Sequence, residues 1–276
     1  MEYRNLIDMH IHSDNSSDAE HSVTLICEKA IAKGLRAIAI TDHYEALDCE
    51  KHNNFITCRQ SVFETKKARL VFNGQLVISV GVELGSPLRN MEMTEQILKN
   101  DYDFVLASVH RIKGKKKYLS ELDYSREGNA PELIMARYYD EIIETTEWNR
   151  FDALAHLTYP LRYFPASKLC EYDIMQHREQ LEHILKTIIA NGKAIEINTN
   201  GSEYITKGIT ASFHPCFELL KMFKELGGQF VTVGSDAHDA NCVGQGISNA
   251  YDMLQSAGFK YVTYYQKHQP MPIEIG

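Results

Sequence analysis

The stretch Leu6-Ile7-Asp8-Met9-His10-Ile11-His12 decides the fold of this chain. It is a short apolar run, and its last residues include two histidines spaced two apart. Successive side chains of a strand point to opposite faces, so His10 and His12 face the same side. The stretch therefore predicts a buried strand that ends in a pair of imidazoles.

Six further apolar runs follow, and segments with helical periodicity separate them. This alternation is typical of a parallel sheet with crossover helices. The predicted strands are Leu6 to His12, Ala37 to His43, Leu76 to Glu83, Phe104 to His110, Ala153 to Leu157, Ala194 to Thr199 and Phe230 to Gly234. The predicted helices are Val23 to Ala32, Thr57 to Phe72, Met91 to Lys99, Pro131 to Glu147, Ile174 to Ala190, Ser212 to Leu226 and Val243 to Ala257.

Length and composition favour one closed barrel. The chain has 276 residues, of which 44% are hydrophobic, and a single α/β barrel typically has roughly 250 residues. No linker rich in Pro, Gly or Ser divides the chain. We therefore expect one α/β domain over residues 1–276, a TIM-like barrel of seven β/α units. The segment Tyr261 to Tyr265 could be an eighth strand or an outer appendage.

Charge and hydropathy argue against several kinds of partner. The formal net charge of -8 disfavours nucleic acid. The longest apolar stretches, such as Leu76 to Val82, are far shorter than the roughly 20 residues of a membrane span. The first five residues lack the pattern of a secretory signal, and the six cysteines are scattered without CxxC spacing. We expect a cytoplasmic protein without a thiolate zinc site.

Almost every predicted strand ends in a side chain that can bind a metal ion. In parallel barrels the C-terminal strand ends lie on one face, so these groups should converge there. They are His10, His12, Asp42, His43, Glu83, His110, His156, Asp236 and His238. Burying this many imidazoles and carboxylates together is unfavourable unless cations compensate them. The pattern predicts a metal centre for zinc, iron or manganese, in which Glu83 could bridge two ions.

Six motifs in this order resemble the PHP (polymerase and histidinol phosphatase) metallohydrolases. They are Asp8-Met9-His10-Ile11-His12, Thr41-Asp42-His43, Gly81-Val82-Glu83, Ser108-Val109-His110, Ala155-His156-Leu157 and Gly234-Ser235-Asp236-Ala237-His238. The resemblance covers nearly the whole chain. It implies a distorted (β/α)₇ barrel that holds three divalent metal ions, and closely spaced ions of this kind suit phosphate ester hydrolysis.

The resemblance also implies a division of the ligands among the three ions. The first ion would take His10, His12, Glu83 and Asp236, and Glu83 would bridge to a second ion on His110 and His156. The third would take His43, His238 and Asp18, a position at which many relatives have histidine. Asp8, Asp42 and Ser235 are expected to orient ligand imidazoles through their other ring nitrogens.

Within the family, the histidinol-phosphate phosphatases are most similar, on the segments Phe151 to Leu157 with Arg162-Tyr163, and Glu196 to Gly201. This implies hydrolysis of L-histidinol phosphate, a small phosphorylated metabolite of histidine biosynthesis. Arg162 is the expected phosphate contact, because a guanidinium offers a planar pair of donors. Arg111 and Lys207 are further candidates, and Asp236 and His238 are placed to manage protons.

Other functions stay open at this stage. A PHP-type phosphoesterase could act on nucleotides or on another phosphorylated metabolite. An amidohydrolase-type barrel, which hydrolyses C–N bonds, also begins with His-x-His on its first strand, but it normally ends on a lone aspartate of strand eight. A binding module without enzyme activity is a further alternative, and the metal content of the purified protein would discriminate it.

Overall fold

A mostly parallel sheet, flanked by helices, forms the framework of the protein. The computed structural model describes residues 3–169, 172–200 and 215–276. The strands are β1 Ile7–Ile11, β2 Ala37–Ile40, β3 His43–Glu45, β4 Val77–Gly85, β5 Phe104–Ser108, β6 Ala153–Leu154, β7 Ala194–Asn198, β8 Val231–Gly234, β9 Tyr261–Gln266 and β10 Gln269–Glu274. The helices are α1 Val23–Ala32, α2 Asn54–Val71, α3 Met91–Ile97, α4 Pro131–Trp148, α5 Ala166–Leu169, α6 Arg178–Ala190, α7 Pro215–Glu225 and α8 Ile247–Ser256.

The sheet is nearly closed into a barrel. Its strands lie in the order β1-β2-β4-β5-β6-β7-β8, with β3 beside β4. The first and last strands meet at a parallel bridge between Ile11 and Ala237. There the Asp236 amide donates to the His10 carbonyl at 2.8 Å and the His12 amide donates to the Ala237 carbonyl at 2.9 Å. The predicted seven-unit α/β barrel is confirmed.

The second barrel position differs from its prediction. A single strand was expected from Ala37 to His43, whereas β2 ends at Ile40 and β3 begins at His43. Between them, the buried Asp42 carboxylate accepts hydrogen bonds from the hydroxyls of Ser16 (2.9 Å) and Ser61 (2.6 Å). Because β3 resumes pairing with an extended β4, the strand position ends at Glu45 and not at His43.

The tail is an appendage and not an eighth barrel strand. Strands β9 and β10 pair only with each other, as an antiparallel hairpin. The backbone amides of Lys267 and His268 donate to Asp103, and the His268 ring contacts Asp152 at 2.8 Å. Asp103 and Asp152 immediately precede β5 and β6. The hairpin therefore covers the N-terminal end of the barrel, opposite to the predicted metal centre.

Both faces of the barrel strands are buried. In β1, Ile7, Met9 and Ile11 are fully buried, and so are Asp8 and His10 between them. Strands covered on both faces need no alternation of apolar and polar residues. In the described part of the chain, no helix combines the length and the apolarity that a membrane crossing requires.

Gly234 lies at the seam between β8 and β1, where two backbones approach closely. A Cβ atom added there would lie 2.3 Å from the His10 Cβ and 2.5 Å from a Glu196 oxygen. We expect Gly234→Ala to destabilise the protein by about 1–3 kcal/mol, because the strand β1 must shift. In a thermal unfolding experiment, the Tm should fall by about 2–4 °C for each kcal/mol of lost stability. Gly128→Ala is the matched control, since nothing lies within 4 Å of the added atom.

Candidate metal centre

Glu83, at the end of β4, is the centre of a cluster of imidazoles. Its Oε1 lies 2.9 Å from His156 Nε2 and 3.1 Å from His110 Nε2. Its Oε2 lies 2.8 Å from His43 Nδ1 and 3.4 Å from His10 Nε2. The Glu83 side chain is fully buried. One carboxylate thus reaches four imidazoles from four barrel positions, which is the arrangement expected of a bridging ligand.

Asp236 completes the floor of the site beside β1. Its Oδ1 lies 3.3 Å from His12 Nε2 and 3.7 Å from His10 Nε2. Both of these nitrogens and Glu83 Oε2 are buried and lack a hydrogen-bond partner among the described residues. Buried polar atoms without a partner are unfavourable, and a cation between them would satisfy all three. The donor set therefore fits a metal ion.

The outer rim of the site holds His43, His238 and Asp18. The two imidazoles approach to 3.3 Å between their Nε2 atoms. Asp18 Oδ2 lies 3.6 Å from the first and 3.5 Å from the second. The Asp18 side chain is 56% exposed, in contrast to the buried ligands on the floor. This third group is the most accessible part of the centre.

Four overlapping sets of side chains have donor atoms close enough to share an ion. They are His12, His43 and His238; His10, His12 and Glu83; His10, His156 and Asp236; and His43, Glu83 and His110. The structure brings all nine predicted ligands together at the C-terminal strand ends. Because the sets overlap, the division of the nine residues among three ions stays a prediction.

The charges of the cluster favour ionised carboxylates. Burial opposes ionisation of Glu83, but His110, His10 and His43 hold its pKa well below the usual range. Burial likewise favours neutral His110, yet Glu83 and Glu45 raise the pKa of this imidazole to about 9. Burial and the neighbouring His43 lower the pKa of His12. Anionic oxygens among close imidazole nitrogens form a site for divalent cations.

The groups that orient the imidazoles are not the ones expected from sequence. Asp8 accepts from the Ser235 amide (2.8 Å) and the Gly244 amide (2.7 Å), so it ties loops together. Asp42 binds serine hydroxyls and the Ser13 amide (2.6 Å). The prediction that Asp8, Asp42 and Ser235 contact ligand imidazoles directly is wrong. Asp8 and Asp42 instead accept hydrogen bonds from backbone amides and so fix the loops around the site.

Two carboxylates that sequence reasoning missed perform this role. Glu196 Oε1 lies 2.7 Å from His10 Nδ1, and Glu45 Oε1 lies 2.6 Å from His110 Nδ1. An acceptor on one ring nitrogen leaves the other nitrogen available to a metal. Glu45 could have been found by its position, two residues after His43 on the same strand face. Glu196 is the acidic residue of the otherwise apolar start of β7, Ala194–Ile197.

Glu196 also holds a strained part of the backbone. His156 and Asp236 have positive φ angles of 24° and 53°, which residues other than glycine rarely adopt. The His156 amide donates to Glu196 Oε2 at 2.8 Å, and the His156 carbonyl accepts from the Tyr138 hydroxyl at 3.1 Å. Backbone strain of this kind is concentrated at functional sites. Here the positive φ angles direct the side chains of His156 and Asp236 into the cluster.

We expect Glu196→Gln to weaken metal retention and turnover by about 10- to 100-fold, because His10 loses its anionic acceptor. Metal analysis after gel filtration and initial rates measure the two effects. Glu225→Gln, on the exposed face of α7, is the matched control. Wild-type metal content in Glu196→Gln would contradict the role assigned to this carboxylate.

Arg162, whose side chain is 12% exposed, lies beside the cluster at the wall of a cavity of about 360 Å³. Its Nη1 donates to Asp236 Oδ2 at 3.0 Å, and its Nη2 donates to Asn198 Oδ1. The guanidinium lies 5.2 Å from the centre of the Tyr159 ring. Burial disfavours the charge, but Asp236 outweighs it and raises the pKa of Arg162. A fixed cation therefore stands next to the metal ligands.

Arg111, the second candidate phosphate contact, does not join it. Arg111 Nη2 donates to Asp48 at 2.6 Å, and the guanidinium packs over the Tyr118 ring at 4.1 Å. Arg111 is not among the described residues that line the cavity. We therefore do not retain it as a phosphate contact. Lys207 lies outside the described residues.

Comparisons with known proteins agree with this geometry. A family model described as the PHP domain matches residues 8–200. The chain is 30% identical over 264 residues to the histidinol-phosphatase of Lactococcus lactis, and this alignment covers 92% of this chain and 91% of that protein. It is 29% identical over 257 residues to the probable histidinol-phosphatase of Thermotoga maritima, covering 93% and 94%. The crystal structure of the Lactococcus lactis histidinol phosphate phosphatase with zinc, L-histidinol and phosphate superposes with a TM-score of 0.79 at 25% identity, covering 97% of this chain and 99% of that one.

Proposed function

This chain belongs to the PHP-domain family, and from that membership we propose that it hydrolyses L-histidinol phosphate to L-histidinol and phosphate. The enzyme is a metal-dependent phosphoric monoester hydrolase. Similarity extends over more than nine tenths of both chains for the Lactococcus lactis histidinol-phosphatase. The observation that carries the proposal is Arg162 beside nine convergent candidate metal ligands, because a guanidinium and metal ions can both bind the oxygens of a phosphate monoester.

Three divalent ions are the proposed cofactors. His10, His12, Glu83 and Asp236 would hold the first, Glu83 with His110 and His156 the second, and His43, His238 and Asp18 the third. Zinc is supported by the related Lactococcus lactis structure, which contains it, and imidazole and carboxylate donors also accept iron and manganese. When bound, such ions activate water and neutralise phosphate oxygens.

Arg162 and the residues around it orient the ester. Asp236 and Asn198 fix the plane of the guanidinium, so its donors are aligned before the substrate enters. A planar pair of donors matches two phosphate oxygens better than a lysine ammonium does. Asp236 stays ionised, because burial is outweighed by His10, His12 and Arg162, which hold its pKa well below the usual range. An ionised Asp236 can anchor Arg162 and coordinate an ion, and the proton-handling roles of Asp236 and His238 stay predictions.

A rate comparison on metal-analysed protein tests the proposal. Phosphate release is measured for L-histidinol phosphate and a nucleoside monophosphate, nucleotide release for single-stranded DNA, and ammonia or amine release for amide substrates, each with and without a chelator. We expect the highest kcat/KM for L-histidinol phosphate and loss of activity with chelator. Preference for a nucleotide or DNA would favour the alternative PHP-type phosphoesterase, and cleavage of C–N bonds alone would favour an amidohydrolase.

A cytoplasmic role in histidine biosynthesis belongs to the same proposal. The absence of a nucleic-acid partner is likewise a prediction from the net charge of -8. A small phosphorylated metabolite is the expected partner, since the cavity of about 360 Å³ falls at the lower end of the volumes typical of small-molecule sites.

A further inference from the structure

The cavity has a second wall, formed by segments that follow the proposed ligands His110 and His43. The loop after β5 contributes Tyr118 and Ser120 to it, and the segment after β3 contributes Lys51 and His52. The phosphate group of an ester is accounted for by the metal ligands and Arg162. The alcohol part of the substrate must therefore be recognised elsewhere in the cavity, and this wall is within the same space.

Tyr118 is fixed on this wall by its hydroxyl. Its OH donates to Asp48 Oδ2 at 2.5 Å, and the same oxygen accepts from Arg111 Nη2 at 2.6 Å. Burial opposes ionisation of Asp48, but Tyr118 and Arg111 lower its pKa, so the acceptor stays charged. Since the hydroxyl is committed to Asp48, the ring of Tyr118 is what it offers to a ligand.

The loop that carries Tyr118 is anchored to the metal centre. The Leu119 amide donates to the carbonyl of His110, a proposed ligand, at 2.8 Å. Leu119 is fully buried, and its carbonyl accepts from the Tyr124 hydroxyl at 2.8 Å. Arg111 packs over the ring at 4.1 Å. These contacts hold the ring at a constant distance from the cluster.

We propose that Tyr118, clamped by Asp48 and Arg111, is a specificity-determining residue that packs its ring against the planar ring of the alcohol part of the substrate. This rests on the proposed function, in which that ring is the imidazole of histidinol. Electron-rich phenol rings stack favourably on such groups. Asp48 and Arg111 act through Tyr118 and are positioning residues, which gives Arg111 a role in place of phosphate binding.

Two esters that differ only in the ring separate this role from a structural one. They are L-histidinol phosphate and 2-amino-1-propanol phosphate, which keeps the amino alcohol and lacks the imidazole. We expect Tyr118→Ala to reduce kcat/KM for the first ester about tenfold more than for the second, mainly through KM. Tyr118→Phe should lose only part of the preference, because it keeps the ring but removes the hydrogen bond to Asp48. Asp48→Asn should weaken it in part.

Tyr261→Ala, an exposed tyrosine on β9 that is 49% exposed, is the matched control and should leave both rates at the wild-type value. Equal losses for the two esters in Tyr118→Ala would overturn the proposal and leave the proposed function intact. If the wild type hydrolyses neither ester, the proposed function fails. Calorimetric binding of L-histidinol then decides the role of Tyr118, since unchanged affinity in Tyr118→Ala overturns it and a tenfold loss supports it.

Discussion

Glu83→Gln is expected to reduce phosphatase activity by on the order of 10³-fold or more, because several kcal/mol of transition-state stabilisation are lost with the ions. The Glu83 carboxylate reaches His10, His43, His110 and His156 within 3.4 Å. A neutral amide of the same shape preserves packing but is a poor bridging ligand. The change therefore removes the negative charge of the carboxylate that contacts all four imidazoles.

Metal content and thermal unfolding distinguish this effect from misfolding. Added zinc or manganese should raise the Tm of the wild type, since a ligand that binds the native state stabilises it, and should raise the Tm of Glu83→Gln much less. Glu92→Gln, on the exposed start of α3, controls for loss of a surface charge. A Glu83→Gln protein with wild-type metal content and turnover would exclude the bridging role.

Arg162→Lys is expected to lower kcat/KM by about 10²- to 10³-fold with metal content unchanged, in line with the loss of one preorganised donor to a developing anion. The guanidinium is held by Asp236 at 3.0 Å and by Asn198. A lysine ammonium keeps the charge but cannot contact both residues and two phosphate oxygens in one plane. The loss of kcat/KM should therefore come from poorer orientation of the phosphate group, since the net charge of the protein is unchanged.

Inhibition by inorganic phosphate provides an independent measurement for Arg162. Its inhibition constant should rise in Arg162→Lys and stay constant in the control Arg137→Lys, which lies on the exposed face of α4. If phosphate binds both proteins equally while turnover falls, Arg162 does not contact phosphate. It would then act only by holding Asp236.

The convergence of the candidate metal ligands could be predicted because strand position and ligand chemistry coincide in this chain. Each of His12, Glu83 and His156 closes or follows an apolar run, and parallel strands bring such residues to one face. Local sequence was sufficient for this, since a period-two pattern fixes which face each side chain occupies. The helix α1, Val23–Ala32, begins and ends at the predicted residues, and the Ser22 side chain caps its first turn.

The partners of the supporting residues could not be predicted in the same way. Glu45, Glu196 and Asp48 act on partners that are 65, 186 and 70 residues away in sequence. Their roles depend on which strands and loops become neighbours. Arg111 directly follows the candidate ligand His110 and nevertheless binds Asp48, far from it in sequence.

The sequence by itself predicted the barrel, the convergence of the candidate ligands and the reaction class, because these depend on strand periodicity and on the chemistry of histidine and carboxylate. The tertiary structure alone decided that Asp8 and Asp42 fix the backbone while Glu45 and Glu196 orient imidazoles. It also decided that the tail covers the opposite end of the barrel. The physical reason is that a hydrogen bond is selected by distance and burial in three dimensions, which residue spacing along the chain does not encode.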